Sequence, residues 1–398
     1  MLAITLDQWQ ENTSINKDMK NRFLNILVPG VFLPMCLGTV YNFSQYSANI
    51  MQCFDISKFA ADIGFTLIIF CLGFGAAIFG RMVELNPKRM AIVASILFVL
   101  GSLGLALATY TQCLPLYYLS CAIMGTGTGI GYVSPIKQLM SNFSDHKGLA
   151  SGLAISGFGL GKFVAAPIYE YLLASVSLPM TFLCVGLLFA IILGITSWLF
   201  KPNQMYVSTI YTAIPIRDLV KSKFLTLSYI SVWLMFCINI SCGLAIISQE
   251  KGLLLSLGFT DIALILSVTA IMNILGRFCF SALSDKIGRK AVYHFICSFG
   301  ILAALFCFTE NPIISLLGIF LCELAYGGNF SSLPSLLSKY FGESSVSTVH
   351  AMTLTGWGCA GIFSILLANF FTTGTLFIIL GVLYLIGFLM MEIFLKKV

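Results

Sequence analysis

Twelve stretches of this chain are too long and too apolar for a protein that folds in water. They run 23–47, 60–79, 90–110, 114–139, 148–173, 179–200, 224–248, 262–283, 291–308, 312–337, 346–371 and 375–395. Each is close to or above the roughly 20 residues that cross bilayer hydrocarbon. Backbone N–H and C=O groups find no partners in hydrocarbon, so every stretch is expected to be a helix; runs this continuous lack the alternation of barrel strands. Charged residues make up only 10% of the chain, against roughly 25% in soluble domains. A water-exposed globule is excluded, and no material remains for a sizeable soluble domain. The fold class is an all-α membrane protein with twelve transmembrane helices.

Cations orient it. With the N-terminus cytoplasmic, the inner segments hold eighteen Lys and Arg and the outer loops only Lys58 and Lys251. Such a bias places both termini in the cytoplasm. The net charge of +6 then serves insertion and contact with anionic membrane lipid, and nucleic acid need not be invoked. The polar leader 1–20 lacks the apolar core of a secretory signal and reads as an uncleaved tail. Thirteen cysteines lie mostly in apolar runs, where they act as small hydrophobes. With no C-x-x-C pair and three scattered histidines, neither a metal nor another cofactor is expected.

The chain divides into a cytoplasmic tail (1–22), six spans (23–200), a polar, basic cytoplasmic loop (201–223) and six further spans (224–395). The halves are similar. Gly80, Glu84, Pro87 and Arg89 follow the second span; Ser284, Asp285, Gly288 and Arg289 follow the eighth, and 201 positions separate Glu84 from Asp285 and Pro87 from Gly288. Pro135 and Pro334, in the fourth and tenth spans, are 199 apart. Two copies with an even number of spans share one orientation, so two six-helix bundles related about the membrane normal are expected.

The segment 284–290, with its degenerate partner around Glu84, resembles the loop signature of the major facilitator superfamily. Within it, Gly38-x-x-Tyr41-x-Phe43-Ser44, Gly129-x-Gly131-Tyr132-x-x-Pro135, Asp145-x-Lys147-Gly148-Leu149-Ala150-x-Gly152 and Asn273-x-x-Gly276-Arg277 are similar to motifs of the oxalate:formate antiporter and monocarboxylate carrier branch. This resemblance implies a secondary transporter that moves a small lactate-, pyruvate- or formate-type monocarboxylate by alternating access, by proton symport or anion exchange, as a monomer in the cell membrane. An oxalate, amino-acid, siderophore or drug carrier on the same scaffold is the alternative, and a non-transporting receptor is a further one. No enzyme is expected, since no span carries a catalytic triad, a metal set or paired carboxylates.

Charges within hydrocarbon cost at least about 2.5–3.5 kcal/mol and invite functional roles. Lys162, Arg277 and Glu323 lie well inside spans. Asn273 and Arg277, four apart, share a helical face, where amide and guanidinium could hold a carboxylate; Arg277 could equally snorkel to the cytoplasm. Glu323 is a candidate proton carrier or the salt-bridge partner of Lys162 or Arg277. Lys162 is a second anion clamp or that partner. Tyr326 shares the Glu323 face, and the resemblance places a site-lining tyrosine there. Tyr41 and Tyr132 could donate hydroxyls to the anion or simply pack. Oxalate exchangers of the branch carry T-x-K-G in the eleventh span, whereas this chain has Thr355-Gly356-Trp357-Gly358, so a monoanion beside an apolar Trp357 wall fits better than a dianion; ordinary packing is the other reading of Trp357. Glu84, Arg89, Asp285 and Arg289 are candidate gating residues, or cytoplasmic anchors. Gly125, Gly127, Gly129 and Gly131 are expected to allow close helix contact.

Overall fold

A computed structural model of the protein describes residues 28–142, 147–200, 223–309, 311–342 and 346–394. The expected tail 1–22 and nearly all of the loop 201–223 lie outside the described residues. The first half contains α1 (Val28–Gly38), α2 (Phe43–Phe54), α3 (Lys58–Leu85), α4 (Pro87–Thr111), α5 (Leu114–Asn142), α6 (Lys147–Ser175) and α7 (Leu178–Leu199). The second contains α8 (Leu227–Ile247), α9 (Glu250–Ser256), α10 (Ile262–Ile287), α11 (Arg289–Phe308), α12 (Pro312–Phe341), α13 (Val346–Thr353), α14 (Thr355–Phe370) and α15 (Thr373–Phe394).

Ten spans among the described residues are long and apolar enough to cross a membrane, and α5 and the divided α1–α2 complete the twelve. Polar residues start them where the apolar runs begin. Asn311 accepts from the backbone N–H of Ile313 and Ile314 at 3.1 and 3.2 Å ahead of α12, with Pro312 in the first turn. Such caps satisfy donors that a helix end otherwise leaves bare. Between α10 and α11, Gly288 adopts φ 94°, a left-handed conformation that glycine takes without a Cβ clash.

Contacts repeat between the halves. In the first, α5 packs on α3 and α4; in the second, α12 packs on α10 and α11. Two long seams join the halves, α6 along α10 and α3 along α14. The internal repeat thus appears as a symmetric pair of interfaces. Glycines permit these approaches: a Cβ at Gly129 would sit 2.1 Å from the Leu72 carbonyl oxygen, and one at Gly327 2.1 Å from that of Asn273.

Among the described residues, three spans are not continuous helices. The first breaks into a 3₁₀ turn at Thr39–Asn42, where the Thr39 hydroxyl donates to the Cys36 carbonyl at 2.7 Å and so competes with the regular ladder. The seventh turns at Ser248 and Gln249 between α8 and α9. The eleventh is interrupted at Leu354. Helices broken at corresponding places in two halves accompany central sites in repeat-built membrane proteins.

Candidate functional site at the junction of the halves

Residues from both halves form one buried polar chain. On α10, Thr269, Asn273 and Arg277 recur every four residues and share a face. On α12, Glu323, Tyr326 and Phe330 form a second stripe. Lys162 stands on α6 opposite both, and Glu250 enters from the break in the seventh span.

Lys162 lies between two carboxylates. Its Nζ is 2.5 Å from Glu250 Oε2 and also donates to Glu323 Oε1. The second Glu323 oxygen accepts from the Asn273 amide at 2.7 Å. Asn273 Oδ1 in turn accepts from Arg277 Nε at 2.8 Å, and Arg277 Nη1 donates to the Ile155 carbonyl of α6 at 2.8 Å. The guanidinium carbon lies 5.4 Å from the Phe330 ring centre. Lys162 and Arg277 are 3% and 1% exposed, and Glu250 and Glu323 are fully buried. Arg277 therefore does not snorkel to an aqueous rim. It is fixed at the junction, reaching from the second half onto the first.

An aromatic enclosure adjoins this chain. Trp357 packs against Phe330 at 4.4 Å and Tyr132 at 5.4 Å between ring centres, with Phe158 at 6.3 Å. The Tyr41 hydroxyl, presented by the 3₁₀ turn, is 3.0 Å from the Tyr326 hydroxyl across the two halves. Tyr132 OH and Trp357 Nε1 are buried with no hydrogen-bond partner among the described residues. Buried donors are normally paired, so two bare ones facing the same aromatic cluster suit a polar ligand.

The structure brings together Arg277, Asn273, Glu323, Lys162, Tyr326, Tyr41, Tyr132 and Trp357. The four candidate gating residues lie elsewhere, Glu84 and Arg89 at the α3–α4 turn and Asp285 and Arg289 at the α10–α11 turn. Asp285 and Arg289 pair at 2.6 Å around Gly288, within one half; Arg89 is exposed on the first turn of α4, and the Glu84 side chain lies outside the described residues.

Sequence reasoning missed Glu250. It directly precedes Lys251 at the end of an apolar run, where a charged pair reads as a solvated helix end. It also missed Asp62, which accepts from Lys58 at 2.6 Å and from Asn369 of the other half at 2.9 Å. At the same end Lys251 donates to the Gln45 carbonyl at 3.1 Å, so the halves meet there and cover the centre.

Two helical halves closing on a buried, charged centre define a membrane carrier scaffold. Residues 27–365 match the Major Facilitator Superfamily, and the chain belongs to that superfamily as a multi-pass integral membrane protein. It is 27% identical over 345 residues to the Uncharacterized MFS-type transporter YhjX of Escherichia coli (strain K12), covering 84% of this chain and 85% of the relative. It is 24% identical to the Oxalate:formate antiporter of Oxalobacter formigenes, covering 92% and 90%. With Monocarboxylate transporter 12 of Homo sapiens it shares 23% identity over 81% and 70%. Crystalline FucP, a Major Facilitator Superfamily transporter in the outward conformation, has the same fold at TM-score 0.63 and 14% identity, covering 91% of this chain and 97% of FucP.

Proposed function

We propose that the protein carries a small monocarboxylate of the lactate, pyruvate or formate type across the cell membrane, with both termini cytoplasmic, by proton symport or anion exchange. The observation that carries this reading is the Arg277 guanidinium, held by Asn273 and the Ile155 carbonyl beside an aromatic enclosure with two unpaired donors. A carboxylate would take a charge-assisted bond from the guanidinium and hydroxyl or indole donors from Tyr41, Tyr326, Tyr132 and Trp357. Its short apolar end would lie on Trp357 and Phe330.

Lys162 sits between Glu250 and Glu323, so Arg277 is the cation left for a ligand. That favours a monoanion over oxalate, whose second carboxylate would be buried unpaired at high cost. Named relatives include an oxalate:formate antiporter and monocarboxylate transporters, in keeping with an organic anion. A single copy would be the working unit, alternating access needing only the two halves of one chain. Alternating access would rock one half against the other along the α6–α10 and α3–α14 seams, with Asp285, Arg289, Glu84 and Arg89 acting at the cytoplasmic end.

Uptake of labelled lactate, pyruvate, formate and oxalate into proteoliposomes, with and without a pH gradient, tests this reading. Uptake of at least one monocarboxylate at a rate well above that of oxalate is expected. A preference for oxalate, or no uptake of any of the four, rejects it.

A further inference from the structure

Glu250 has one bare oxygen. Oε2 contacts Lys162 at 2.5 Å, while Oε1 is buried with no hydrogen-bond partner among the described residues. Both oxygens of Glu323 are engaged, one by Lys162 and one by Asn273. The two carboxylates share a single lysine and differ in how well each holds a negative charge. A buried carboxylate oxygen without a donor is the less favourable place for it.

Charge counting gives this asymmetry a consequence. Lys162 and Arg277 oppose Glu250 and Glu323, so the covered centre is neutral with both acids ionised. The other titratable groups close by are Lys251, which turns to the Gln45 carbonyl, Cys322 beside Glu323, and the hydroxyls of Tyr41, Tyr132 and Tyr326. An anion arriving at Arg277 adds one negative charge, and neutrality returns when one carboxylate is protonated.

We propose that Glu250 Oε1 is the proton-binding atom of this carrier, taking up one proton for each monocarboxylate bound. The inference rests on the function proposed above. The step is a single transfer: hydronium gives its proton to Oε1, an O–H bond forms, and water leaves; the reverse occurs on the other side of the membrane. Geometry links it to movement. Lys162 belongs to the first half and both carboxylates to the second, so separating the halves must pull the ammonium away from them. Glu250 starts α9, and α9 touches α2 through Lys251 and Gln45. Parting of α2 and α9 would admit water to this carboxyl.

The test uses the full-length protein in proteoliposomes with labelled lactate and an internal pH dye. For the wild type, one proton should enter per lactate in net uptake, and apparent lactate affinity should fall about tenfold per pH unit once the carboxyl ionises, as reciprocal linkage requires. Glu250→Gln mimics the protonated acid. Its lactate affinity should not vary with pH, and lactate–lactate exchange should persist while net uptake falls at least tenfold, because the emptied carrier keeps an uncompensated positive charge. Glu323→Gln removes the acceptor of Asn273 and should lower exchange and net uptake together. Net wild-type uptake without protons, a count that needs no variant, overturns the proposal; so does proton-coupled uptake by Glu250→Gln with the wild-type pH profile, and in both cases the monocarboxylate reading stands. A wild type that neither binds nor exchanges any monocarboxylate overturns that reading and this one with it.

Discussion

Lys162 and Glu250, 88 positions apart and in opposite halves, meet at 2.5 Å in the centre of the molecule. With Glu323 they form a buried charge cluster that spans the junction. Removing one member of a buried pair leaves an uncompensated charge and typically costs about 3–5 kcal/mol. Lys162→Met should therefore destabilise the purified protein by about that amount in unfolding measurements. Adding Glu250→Gln alone to the same chain should restore most of the loss, since Arg277 and Glu323 then balance and the buried centre is neutral again. Equal stability of Lys162→Met and the wild type would show that the cluster is not sealed from water.

The Tyr41 and Tyr326 hydroxyls bond across the halves at 3.0 Å. Each hydroxyl removed should weaken anion binding by about 0.5–1.5 kcal/mol, a few-fold to about tenfold. If both serve one ligand, Tyr41→Phe and Tyr326→Phe should combine non-additively in a double-mutant cycle. Strict additivity of the two affinity losses would separate their roles.

Closure at the end opposite the Asp285 loop depends on few polar contacts. Asn369 donates to Asp62 at 2.9 Å from the other half, beside the Lys58–Asp62 pair. Asn369→Ala should loosen that end by about 1 kcal/mol, and a cysteine placed at Gln45 should then react about five-fold faster with a polar thiol reagent. An unchanged rate would mean that apolar packing alone holds this end shut.

Much of the architecture was readable from residue order because hydrocarbon allows so few solutions. Long apolar runs specify helices, and the repeated loop residues around Glu84 and Asp285 indicate two similar halves. The stripe Asn273–Arg277 and the pair Glu323–Tyr326 were visible as i, i+4 and i, i+3 neighbours. Tertiary contacts were not. Nothing local distinguishes Glu250 from an ordinary solvated helix end, and its contact with Lys162 follows from the break at Ser248–Gln249 that starts α9 at Glu250. The alternatives open for Lys162 depended on which helices face one another: α6 packs along α10 and also touches α12, which puts Lys162 against Glu323. The 3₁₀ turn that presents Tyr41 was likewise hidden inside an apolar run.

If Arg277 holds the carboxylate as proposed, replacing it with lysine should cripple transport. Arg277→Lys keeps the charge and loses the guanidinium fork that bonds Asn273 and Ile155. Losing a charge-assisted hydrogen bond costs about 1.5–3 kcal/mol, roughly 10- to 150-fold. Uptake of labelled monocarboxylate by Arg277→Lys, inserted and folded like the wild type, should fall by at least that factor. Uptake at the wild-type rate would show that Arg277 does not hold the carboxylate.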